Sequence, residues 1–592
     1  MAGPTVVAIV GCGPWGLAVL ERLHTAALLD ARVRLVVHVI EPGPPGVGIY
    51  SEKLPEYLLL NTACGQVDLF ASKILDPELE CAFARPSFFD WLEAQAYRVT
   101  QYRRPDGAEV TRGLQKADFL PRRWLGRYLR LVFDTLARHA PPNLELRVHP
   151  RRALDIAALP AGERIRFDDG TRLDADYVFL TLGHGESPLS HSELRETSSS
   201  GALETLEPAS IEPGEPIGIA GFGLTAIDSI THLTVGKGGS FVRTERGLDY
   251  VASGREPRLL QFSRSGLPYE PRPQGPDEMA RRPGSLAHDG AAIRHLIDAR
   301  GQVDFRRDLL PLVLDEMAAC FSHVAQTTKP SASALAAGSP AAGARRGGFD
   351  PAGDLFERER VFADSGAYQA SLLDRIASGL DESRRGPARS PRKAGIESLR
   401  ELRALVRAVV DFGGLTPESF ADYRRHFVTN IYRLIVGPPV QKMEEWLALR
   451  RAGVVVTPVG PNPRVLARSG GWTLRSTRLE RSAACEASRL LSGHASPAQS
   501  VIQGSALLQN LTAEGRVRAL DPSGTLGCGL DLDACFHPRT QGSTARRLFV
   551  LGLLSEGARS FNLYVPSPGS RLRAFTDADA CVSEIIGRPA RR

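Results

Sequence analysis

The stretch TVVAIVGCGPWGLAVLERLHTAALL, residues 5–29, decides the fold. Its first six residues are apolar and largely β-branched, as a buried strand requires, and they run straight into Gly11-Cys12-Gly13-Pro14-Trp15-Gly16 and a helix-forming segment. A second apolar run, 33–40, ends at Glu41, 30 positions after Gly11. Strand, glycine turn, helix and strand make a βαβ unit in which each glycine has its own task. Gly11 permits the tight turn, Gly13 lets backbone approach a pyrophosphate, and Gly16 allows close packing of helix on strand. Amides at the helix N-terminus then face phosphate, and Glu41 can accept ribose hydroxyls. A bare GxGxxG often only closes a loop. Here strand, helix and acid stand in the order that dinucleotide binding needs.

A second unit follows at 216–228, where PIGIA leads into Gly221-Phe222-Gly223-Leu224-Thr225-Ala226 and the helix-like IDSITHLTV. This is GxGxxA, with Ala226 at the packing position. Its partner strand is delayed by a Gly-rich insertion, 236–258, and runs LLQF into Ser263-Arg264-Ser265-Gly266. Arg264 is placed either to meet a 2′-phosphate, which points to NADPH over NADH, or to be a solvated loop charge. Between the units, residues 164–183 read as a hairpin turning at Asp169-Gly170 and a buried strand ending in Thr181-Leu182-Gly183. His184 reads as an ordinary loop histidine in preference to a catalytic base.

The fold class expected is α/β, with two dinucleotide-binding (Rossmann-like) domains and a largely helical insertion. The expected divisions are 1–190 and 210–285 for the two domains, 286–460 for the insertion, and 461–592 for the return to the α/β frame. Helical spacing recurs at 291–321, 355–380, 396–410, 420–436 and 441–452. The Ala/Gly/Ser/Pro-rich stretch 330–353 and the basic stretch 383–392 read as disordered linkers. The chain closes with a strand at 546–551, a loop through 560–569 and a helix over about 570–586.

Composition excludes several classes. With 592 residues, 43% hydrophobic and 24% charged, the chain can bury a large core. Its eight cysteines include no CxxC pair, which argues against a disulfide scaffold, a zinc finger and a dithiol redox centre and fits a reducing, cytoplasmic setting. No apolar run reaches the ~18 residues of a membrane span. The N-terminus has no basic region followed by an apolar one, which points away from secretion. The net charge of +6, from 73 basic and 67 acidic residues, is not gathered in one block, so no nucleic-acid partner is expected. No HExxH or comparable cluster appears, and no metal is expected.

The paired units, the TLG crossover at 181–183 and the late strand-Gly-loop-helix resemble the two-dinucleotide flavoprotein class that includes the amino-acid N-hydroxylating monooxygenases. VGCGPWGLAVLERL (10–23), LLLNTACGQVDLF (58–70), AGFGLTAIDSITHLT (220–234), LLQFSRSGLPY (259–269), VVDFGGL (409–415), IVGPP (435–439) and VLGLLSEGARSFNLYVPSPG (550–569) carry a narrower resemblance. It is to the bacterial FAD/NAD(P)-binding family containing aspartate N-monooxygenases, which make nitrosuccinate in diazo and hydrazine natural-product (antibiotic) pathways. The resemblance implies FAD at Gly11, Gly13, Gly16 and Glu41, with Asn61 and Thr62 beside the isoalloxazine and Gly183 at the crossover. NADPH would lie at Gly221, Gly223, Ala226 and Arg264, and Gly552 and Asn562 would close the flavin site from the C-terminal side. Many members of the wider class carry Gly-Asp at the late strand. Here Leu553 follows Gly552, so that carboxylate to the flavin is missing.

The reaction implied is NADPH-driven reduction of FAD, activation of O2 and oxygenation of a neutral amine, with L-aspartate giving hydroxylaminosuccinate and nitrosuccinate. The cofactor motifs alone are equally those of an NAD(P)H-dependent flavin reductase or oxidase, or of a non-catalytic dinucleotide-binding protein. Disulfide reduction would need two thiols at the flavin, yet Cys64 stands alone and reads as a packing thiol. Arg424, Arg425, Lys442, Arg571 and Arg573 could meet substrate carboxylates. On an Arg-rich chain most such residues are solvated charge, so none is singled out and no catalytic residue is assigned.

Overall fold

The computed structural model describes residues 3–184, 194–197, 203–245, 247–274, 301–328, 349–356, 360–494, 498–540, 544–562, 564–566 and 572–589. The strand Thr5–Val10 pairs in parallel with Leu35–Ile40 on one side and Tyr177–Leu180 on the other. Leu144–His149 and Leu548–Val550 complete a five-stranded parallel sheet. A parallel sheet is covered on both faces, which is why these strands are near-continuous apolar runs. Val7, Ile9, Val37, Val39 and Phe179 are fully buried in one layer, and Ala8, Val178 and Leu180 face a second. The helix Pro14–Leu29 returns the chain from the first strand to the second.

The second sheet is built on Pro216–Ala220, which pairs in parallel with Arg258–Phe262 and with Arg489–Ser492. Val455–Val456 extends it, and Leu194–Thr197 and Leu203–Leu206 add an antiparallel edge. The Gly-rich insertion is ordered as a hairpin, Ser240–Thr244 against Gly247–Val251. The expected turn at Asp169-Gly170 joins Gly162–Phe167 to Arg172–Ala175.

The helical region contains Leu310–Thr327 packed on Pro391–Val410, together with Ser365–Arg385, Thr429–Ile435 and Val440–Arg451. Two turns are π-helical, Phe305–Leu309 and Tyr423–Val428. Of the linker expected at 330–353, residues 330–348 lie outside the described residues, and Pro351–Phe356 is a helix. The linker expected at 383–392 is corrected. It is the tight junction of two long helices, with Ser383 and Ser390 buried and Ser390 capping the second helix by accepting from Lys393 N. Arg392 is held by Glu270, Asp354 and Glu382 at 2.7–2.9 Å, the first two brought in from distant parts of the chain. No described helix is long and apolar enough to cross a membrane.

Candidate functional site

Both glycine turns open onto one cleft of about 2550 Å³. At the first, Gly11 takes φ +87°, where a Cβ would lie 2.9 Å from Thr181 O, so both conformation and space demand glycine. Gly13 caps the helix, and neither a side-chain cap nor an acid in the first turn occupies its N-terminal amides. They are free to bind an anion. A Cβ on Gly13 would touch only Gly48 Cα, at 3.5 Å; the room around it belongs to the cleft. Glu41 accepts from Cys12 N at 2.8 Å and from Gly43 N at 3.0 Å, which fixes its carboxylate at the cleft edge with lone pairs left for ribose hydroxyls. Asn61, Thr62 and Gly183 line the same wall.

The second turn repeats the design. Gly221 has φ +143° and a Cβ there would come within 2.8 Å of Gly493 O. Its carbonyl accepts from Gln261 Nε2 at 2.8 Å, and Gln261 Oε1 in turn accepts from Trp446 Nε1 at 2.7 Å. Gly223 caps the helix Leu224–Thr234, again without a side-chain cap, and carries the Tyr269 ring against it. Arg264 is exposed at the end of Arg258–Phe262, lines the cleft beside Arg478 and His494, and has no ion-pair partner among the described residues.

Of the expected site residues, Gly11, Gly13, Glu41, Asn61, Thr62, Gly183, Gly221, Gly223, Arg264 and Asn562 share this cleft. Gly16, Ala226 and Gly552 lie behind it. A Cβ on Gly16 would fall 2.3 Å from Gly11 O, and one on Gly552, φ +78°, would press on the Trp15 ring at 3.0 Å. Ala226 packs against Gly493, whose own Cβ would lie 2.7 Å from that of Ala226. Leu553 reaches the cleft as a buried apolar side chain where the wider class carries aspartate.

Thirteen arginines and seven carboxylates line the cleft among the described residues, a balance that favours anionic ligands. Arg424 is buried against Glu556 at 2.6 Å; Arg425 is exposed at the cleft rim. Lys442 pairs with Glu445 and Arg573 with Asp411, so both are structural, and Arg571 lies outside the described residues. Arg122 reaches from the first half to Asp228 of the second at 2.7 Å; burial raises the Asp228 pKa, and Arg122 opposes it. All eight cysteines are free. Burial pushes the Cys12 and Cys64 thiols up to about 12, and Cys64 Sγ donates to Gln115 O, as a packing thiol would. Glu556, Tyr432, Tyr564 and Gly493 escaped the sequence reading, because their partners come from elsewhere in the chain. For Glu556 and Tyr564, proximity to Gly552 was the one available signal.

Two glycine turns, each on a parallel strand pair of its own sheet and facing one basic cleft, define a two-dinucleotide flavoprotein. The FAD-NAD(P)-binding family profile matches residues 8–185. An L-aspartate N-monooxygenase (nitrosuccinate-forming) of Streptomyces davaonensis is 32% identical over 78% of this chain and 77% of its own. The nitrosuccinic acid synthase of Aspergillus oryzae is 28% identical over 97% of this chain and 91% of its own. Among solved structures, an ornithine hydroxylase of Pseudomonas aeruginosa covers 99% of both chains at 11% identity with a TM-score of 0.43. The chain belongs to the family of the L-aspartate N-monooxygenases.

Proposed function

We propose that this protein is an FAD- and NADPH-dependent monooxygenase that oxygenates the amino nitrogen of L-aspartate, giving hydroxylaminosuccinate and nitrosuccinate for natural-product assembly. The observation that carries the reading is the family relationship, which runs through both glycine turns and the helical region alike. Gly11, Gly13, Glu41, Asn61, Thr62 and Gly183 fit the adenosine diphosphate and ring of FAD, with Gly552 and Asn562 closing the C-terminal side. Gly221, Gly223 and Arg264 fit NADPH, and the 2′-phosphate role of Arg264 rests on its exposed guanidinium at the strand end. FAD held by these residues would supply the redox chemistry that links NADPH to O2.

The chain's own part is to bind, orient and dry the site. The two uncapped helix N-termini hold phosphates, and the arginine excess attracts a dicarboxylate. Trp15, Leu553 and Val565 present apolar surface that keeps water away from the reacting centre. The inert thiols Cys12 and Cys64 disfavour a disulfide reductase.

A screen of amino acids for stimulated NADPH oxidation tests the reading. The purified protein is expected to be yellow and to take up O2 when L-aspartate is added. A yellow protein whose O2 uptake no amino acid stimulates would be a reductase or oxidase, and a colourless one that binds NADPH would be a non-catalytic dinucleotide-binding protein.

A further inference from the structure

The wall of the cleft between the helical region and the C-terminal loop holds polar groups that the fold itself leaves unsatisfied. Tyr432 Oη, Tyr564 Oη and Asn562 Oδ1 are buried and have no hydrogen-bond partner among the described residues, and all three residues contribute to the cleft lining. Leaving such a group unmet is costly, so three among the lining residues of one cleft call for a ligand. They are contiguous. Tyr432 packs edge-on to Phe561 at 5.7 Å, the Arg407 guanidinium lies over the Phe561 and Tyr564 rings at 5.7 and 5.6 Å, and Tyr564 rests on Trp15 at 5.6 Å.

The chemistry of each group is settled by its surroundings. Asn562 Nδ2 donates to the Arg559 carbonyl and to Ser555 Oγ, both at 2.9 Å. A carbonyl can only accept, so the amide orientation is fixed and the atom left over is an acceptor, which needs an N–H or O–H from its ligand. The hydroxyls can donate. Behind them Arg407 is buried, bonded to the Ser560 and Phe561 carbonyls at 3.0 and 2.8 Å, with no ion-pair partner among the described residues. The adjacent Asp411 is already paired with Arg559 and Arg573. Phe561, directly before Asn562, takes φ +63°, a left-handed conformation costly for a non-glycine residue and held here by the two Arg407 bonds.

We propose that Tyr432, Tyr564 and Asn562 form the head-group site for the amino-acid substrate: the two hydroxyls donate to a carboxylate, Arg407 behind them supplies the countercharge, and Asn562 Oδ1 accepts from the amine. Arg407 is the positioning residue, since it holds the strained turn that presents Asn562. The inference rests on the amino-acid N-monooxygenase reading above.

The test compares Tyr432→Phe, Tyr564→Phe, Asn562→Leu and Arg407→Lys with wild-type holoenzyme, measuring bound FAD, the KM values for L-aspartate and NADPH, kcat, and peroxide released per NADPH. Each Phe variant is expected to raise the aspartate KM about tenfold, with FAD content, kcat and the NADPH KM held within about twofold. Asn562→Leu lowers kcat and raises the peroxide fraction, and Arg407→Lys shows both effects in weaker form. Unchanged aspartate KM in both Phe variants overturns the proposal. So does loss of FAD or of the folded state from either Phe variant or from Asn562→Leu, because the group would then serve the cofactor or the core. A wild-type enzyme that no amino acid stimulates would instead sink the functional reading, and this inference with it.

Discussion

A side chain at Gly13 would meet nothing closer than 3.5 Å, whereas one at Gly16, a turn later in the same helix, would lie 2.3 Å from a backbone oxygen. The fold therefore demands glycine at 16 but not at 13, where the proposed pyrophosphate supplies the demand instead. Gly13→Val is expected to purify folded but without FAD, read as the flavin-to-protein absorbance ratio; full occupancy would place the pyrophosphate elsewhere. Arg264→Ala should raise the Michaelis constant for NADPH at least tenfold, about 1.5–3 kcal/mol of lost phosphate contact, and leave that for NADH nearly unchanged. Equal effects on the two cofactors would return Arg264 to the solvated-charge reading. These positions were legible because the tasks of a glycine turn follow from spacing alone. Gly493 was not, since its glycine requirement arises from Ala220 and Ala226, far away in sequence.

Two elements carry charge into the core, and each gives a pH dependence. Between Arg264 and the helical region the chain threads a strap in which Glu270 is buried against Arg392 at 2.9 Å, near Lys393 and Arg375. Burial alone would raise its pKa, but Arg392, Lys393 and Arg375 together hold it well below the usual carboxylate range. A depressed carboxylate stabilises the fold above its unfolded pKa of about 4.3 and loses that contribution as pH falls below it. Glu270→Gln, which leaves those cations short of an acid, should destabilise by about 3 kcal/mol in denaturant titrations at neutral pH, less at acid pH. A variant as stable as wild type at pH 7 would refute the role.

In the first sheet, His38 Nδ1 and His149 Nε2 meet at 2.8 Å across neighbouring strands. Burial, His149 and Arg147 lower the His38 pKa to about 4. The unfolded chain, with histidine near 6.5, binds the extra proton first, so stability is full above about pH 6.5 and falls towards pH 4. The unfolding midpoint should drop across that window, and His38→Phe should reduce the slope. The helical region shows where sequence reading stopped. A basic stretch at 383–392 looks like a linker when its local composition is all there is to see, because Glu270 and Asp354, which neutralise it, are placed there only by the fold. The α/β frame was readable from its periodicity; the return of Arg489–Ser492 to the second sheet was not, four residues being too short a run to announce a partner.

At the scale of the molecule, one chain builds two dinucleotide halves, joins them through Arg122 and Asp228, and closes the cleft with a helical region and a C-terminal loop that meet at Arg424 and Glu556. Both glycine turns face the same space, so the arrangement lets hydride donor, flavin and substrate share one cleft. Because the amine must be neutral to be oxygenated, turnover of L-aspartate should rise with pH to a plateau, measured as kcat/KM for NADPH oxidation coupled to O2 uptake. A flat profile would place another step in control.

The central claim is that an atom of O2 ends on the nitrogen of L-aspartate. It is tested most directly by supplying the FAD-loaded enzyme with NADPH, L-aspartate and 18O-labelled oxygen and following the amino acid by mass spectrometry. The account predicts hydroxylaminosuccinate and nitrosuccinate carrying label from O2. Labelled hydrogen peroxide as the sole oxygen product, with aspartate recovered unchanged, would contradict it.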